Sequence, residues 1–105
     1  MPLLRRRKLD RVVKDAYWVV VLDCLTDLFG IPAATATGLV NDRRAAVDLT
    51  PHRLGGDIFY HKEPFEVALD LAQSPASLAT TRHVSIDDPS ALAAYESILG
   101  RHGLL

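Results

Sequence analysis

A chain of 105 residues with 49% apolar and 24% charged side chains can bury one compact core but not two, and its single cysteine excludes an internal disulfide. The net charge of −1 hides an uneven division: residues 1–14 hold six basic side chains against one acid, and the remainder holds 6 basic and 12 acidic ones. Such asymmetry marks a surface for a charged partner. No apolar run reaches the ~20 residues of a membrane span. Asp10, Asp15, Asp23 and Asp27 also argue against a secretory signal in this region. A cytoplasmic protein of mainly α class is expected, with residues 1–9 as a basic arm and 10–105 as a single domain of about four helices.

Spacing predicts a first helix over 10–29, with Val13, Ala16, Val20, Cys24 and Leu28 on one face and Tyr17, Val21, Leu25 and Phe29 on the next. Gly30 and Pro32 end it. Residues 16–22 are apolar all round and rich in β-branched side chains, so a buried strand there is the rival reading. A second helix is predicted over 34–49, with Leu39, Val40, Arg43, Ala46 and Val47 as its stripe and Thr35 or Thr37 available as a cap. After a glycine-marked connection, Pro64 opens a third helix running to 73, whose apolar positions Phe65, Val67, Ala68, Leu69, Leu71 and Ala72 leave few polar faces. That helix should be central. The alternating segment 82–86 can pair with 58–60 as a minor two-stranded β element. Asp87, Asp88 and Pro89 give a capped start to a fourth helix, with Ala91, Leu92, Tyr95, Ile98 and Leu99 inward and Gly100 as its stop.

Little in this pattern points to catalysis. Cys24 is flanked by acids and hydrophobes, which suit a buried structural thiol and not a nucleophile. His52, His61, His83 and His102 share no metal-ligand spacing, so no metal or cofactor is expected. His61 with Glu63 and Glu66 is the densest polar cluster, and a histidine beside carboxylates can exchange protons. Acids at a helix start also interact favourably with the helix dipole, and that simpler role is preferred. No catalytic residue is assigned. Asp23 and Asp27 stand one turn apart on an apolar helix, a repulsion of a few tenths of a kcal/mol. Either Arg43 or Arg44 of the second helix or a basic partner must offset it.

Thr26, Gly30, Thr35, Thr37, Asn41, Arg43 and Arg44 fall in an order that resembles the helix-turn-helix of Cro and phage-repressor-type regulators, over residues 25–44. The resemblance implies a DNA-binding role for Thr35, Thr37, Asn41, Arg43 and Arg44. Ala33, Ala34 and Gly38 depart from it, standing where that family places polar or basic residues, and base readout needs donors and acceptors. The acidic body would also repel phosphate.

The reading that follows is a small non-catalytic protein-binding module: an adaptor, an antitoxin- or immunity-type inhibitor, or a complex subunit. Arg5, Arg6, Arg7, Lys8, Trp18, Asp23 and Asp27 are its expected contact residues. Self-association through the first helix is expected, so the partner is another protein or a second copy. The alternative is a DNA-binding regulator.

Overall fold

The computed structural model describes residues 11–49, 58–75 and 83–105, without the side chains of Ile58 and His61. Four helices make up most of it: α1 (Arg11–Asp23), α2 (Ala33–Asp48), α3 (Pro64–Ala72) and α4 (Pro89–Arg101). The described residues include no strand, and none of their helices is long and apolar enough to cross a membrane. The basic arm, His52 and Arg82 lie outside the described residues.

The rival strand over 16–22 is resolved as helix. Tyr17, Trp18, Val20 and Val21 are all buried, so both apolar stripes of α1 face other elements: it packs against α2 and α3. Past Asp23 the coil widens into a π-helical turn, Cys24–Leu28, instead of continuing as α-helix. There the Thr26 hydroxyl donates to the carbonyls of Leu22 and Asp23, both at 3.3 Å, a local bond that competes with helical pairing. The Phe29 N–H reaches the Cys24 carbonyl at 3.1 Å, five residues back. Gly30 then takes φ 71° and reverses the chain, and the Ile31 N–H closes on the Leu25 carbonyl at 3.0 Å. This widened turn keeps Cys24, Leu25, Leu28 and Phe29 in the core, packed against α3 and α4.

Helix α2 starts at Ala33 behind Pro32, without a side-chain cap. Thr35 and Thr37 lie inside it and so do not cap it. Pro64 opens α3 at its first position, as expected. Asp88 caps α4, accepting from the Ser90 N–H at 3.0 Å. Gly100 does not stop that helix. It runs on to Arg101, and Gly103, at φ 72°, makes the reversal that returns the Leu104 N–H to the Leu99 carbonyl at 2.9 Å. Leu104 is thereby buried.

Ile58–His61 form a 3₁₀ turn instead of the expected strand. Its aromatic residues are engaged by α1. The Phe59 ring stacks on Trp18 at 5.5 Å with an interplanar angle of 17°. The Trp18 indole N–H donates to the Tyr60 hydroxyl at 3.0 Å, and that hydroxyl donates on to Asp48 of α2 at 3.3 Å. The Tyr17 hydroxyl donates to the Lys62 carbonyl at 3.0 Å. Next along the chain, the Tyr95 hydroxyl of α4 donates to Glu63 at 2.8 Å and accepts from the Phe65 N–H at 3.3 Å. No buried side-chain nitrogen or oxygen among the described residues lacks a partner.

Because the Tyr95 hydroxyl serves two groups at the start of α3, Tyr95→Phe should destabilise the fold by about 1–3 kcal/mol while keeping the ring packing. Urea denaturation checks this, and the slope of the transition should stay unchanged.

Candidate interaction surface

With its inner positions turned into the core, α1 presents a narrow outward stripe of Val12, Asp15 and Val19, set by the helical repeat, while Ala16 packs against the core and Asp23 is half-buried. Val12 is 75% exposed and Val19 40%, whereas Val20 and Val21 are fully buried. Asp15 lies at the edge of this stripe, paired with Arg44 of α2. The hydrogen bond from that guanidinium holds the Asp15 carboxyl below its ordinary range. The pair is therefore complete above the ordinary carboxylate range and is lost as pH falls through the lowered value.

The Asp23, Asp27 pair is balanced from within the chain, but not by Arg43 or Arg44. Arg43 pairs with Asp70 of α3 at 2.8 Å, and Arg44 is held by Asp15 and by Asp48, the latter at 3.7 Å. The partners come from the end of α4. His102 lies 2.7 Å from Asp23, and the Arg101 guanidinium lies 3.8 Å from Asp23 and 3.5 Å from Asp27. Asp23 is the more sheltered acid, its side chain 24% exposed, while that of Asp27 is 50% exposed. Just beyond these two residues the chain reverses at Gly103 and buries Leu104.

The other sequence-selected residues are dispersed. Trp18 is 2% exposed and bonded to Tyr60, so its indole is part of the core. On α2, Thr37 and Asn41 face outward beside Ala33, Ala34, Gly38 and Asp42, while Thr35, Arg43 and Arg44 are half-buried. Glu63 accepts from Tyr95 and Glu66 lies exposed on α3; the His61 side chain falls outside the described residues. No group of three or more His, Cys, Asp or Glu side chains among the described residues is placed to hold a metal. Burial pushes the Cys24 thiol well up, with Asp23 and Asp27 adding to the effect. Burial likewise raises the phenols of Tyr17 and Tyr95.

Val12, Val19, Arg101 and His102 are the surface residues that sequence reasoning missed. The seven-residue spacing of Val12 and Val19 was available as a signal, because two apolar residues on the polar side of an amphipathic helix stand out once its inward face is fixed. The role of Arg101 and His102 depends on which helices abut, and the periodicity of single helices does not carry that. No known protein family, curated protein or solved structure matches the chain.

Asp23→Asn should lower stability by about 1 kcal/mol, since it weakens a half-buried, charge-assisted contact. Asp27→Asn should change it by less than about 0.5 kcal/mol, as exposed pairs do. Thermal or urea unfolding of the two variants separates them. Cys24 should resist a thiol reagent in the native protein and react at once in denaturant.

Proposed function

We propose that this chain is a small, non-catalytic protein-binding module that works as a self-associating subunit. The observation supporting this reading is the outward apolar pair on α1, Val12 and Val19, on a helix whose other large apolar side chains are buried or half-buried. Two exposed valines on one face, bordered by charged residues, form a small interaction patch. The basic segment Arg5, Arg6, Arg7 and Lys8 precedes that face directly in sequence, and clustered cations favour encounter with an acidic partner surface.

A DNA-binding role has one structural feature in its favour: the tight turn at Gly30 joins two helical segments, with Thr37 and Asn41 outward on the second. It has less support than the module. Arg43 and Arg44 are engaged by Asp70, Asp15 and Asp48, and the outward residues of α2 are mostly small or acidic.

Light scattering across a concentration series should show the mass rising from that of one chain toward twice that value. Val12→Asp combined with Val19→Asp should abolish the rise and leave the helical circular dichroism unchanged. A chain that stays monomeric throughout and captures no partner from its host lysate overturns the proposal. Binding to duplex DNA at low salt that weakens steeply as salt is raised would favour the regulator instead.

A further inference from the structure

We draw no further inference here: the strongest candidate, the surface groove between α2 and α3 lined by Leu39, Asp42, Arg43, Ala46, Asp70 and Leu71, has its one cation already paired with Asp70, and nothing in the described structure shows what occupies it.

Discussion

Tyr17 and Trp18 are neighbours on α1, pointing about 100° apart around the helix axis, and both are buried although each carries a polar end. A buried hydroxyl or indole N–H without a partner costs about 1–3 kcal/mol, so the chain must return to meet them. It does so in one short stretch: Tyr60 accepts from the indole and the Lys62 carbonyl accepts from the phenol. That demand fixes the 3₁₀ turn at Ile58–His61. It also sets the start of α3, because Glu63, next along the chain, accepts from Tyr95 of α4. Three helices are thus tied to one six-residue stretch by aromatic side chains whose polar ends are all satisfied.

The orientation of α1 follows from this anchoring, and so does its outward face. With Tyr17, Trp18, Val20, Val21, Cys24 and Leu25 all inside, helical geometry leaves Val12, Asp15 and Val19 outside. The same rotation brings Asp23 and Asp27 toward the end of α4, where Arg101 and His102 meet them. The repulsion between these two acids, unfavourable within an isolated helix, becomes a link between the first and last elements of the domain. It leaves Asp27 the less satisfied of the two, exposed at the edge of the face that also carries the two valines.

Much of the helical architecture was legible in the sequence because it depends on local signals. Proline at the first position of α3 and α4, the Asp88 cap and the two inward stripes of α1 all act within a turn or two. Three features were not legible, each because a longer-range bond decided it. The Ile58–His61 segment resembles a strand until Trp18 and Tyr17 claim its aromatic residues. Gly100 resembles a helix stop, but burial of Leu104 moves the reversal to Gly103. Arg43 and Arg44 are plausible partners for the acidic pair, but α2 packs so that they face Asp70 and Asp15 instead. Of the candidate surface, Asp23 and Asp27 were visible as an anomaly in an apolar helix. Val12 and Val19 became meaningful only once the inward face of α1 was fixed.

The inner face of α1 organises the domain, and its outer face, where Val12 and Val19 are exposed, is the one proposed here for self-association. Backbone amide NMR spectra recorded on progressive dilution test it most directly. Self-association through this face gives concentration-dependent shifts concentrated at Val12, Asp15 and Val19, with the amides of α3 unchanged. Shifts that ignore concentration, or that cluster on α2 or α3 and spare α1, would contradict it.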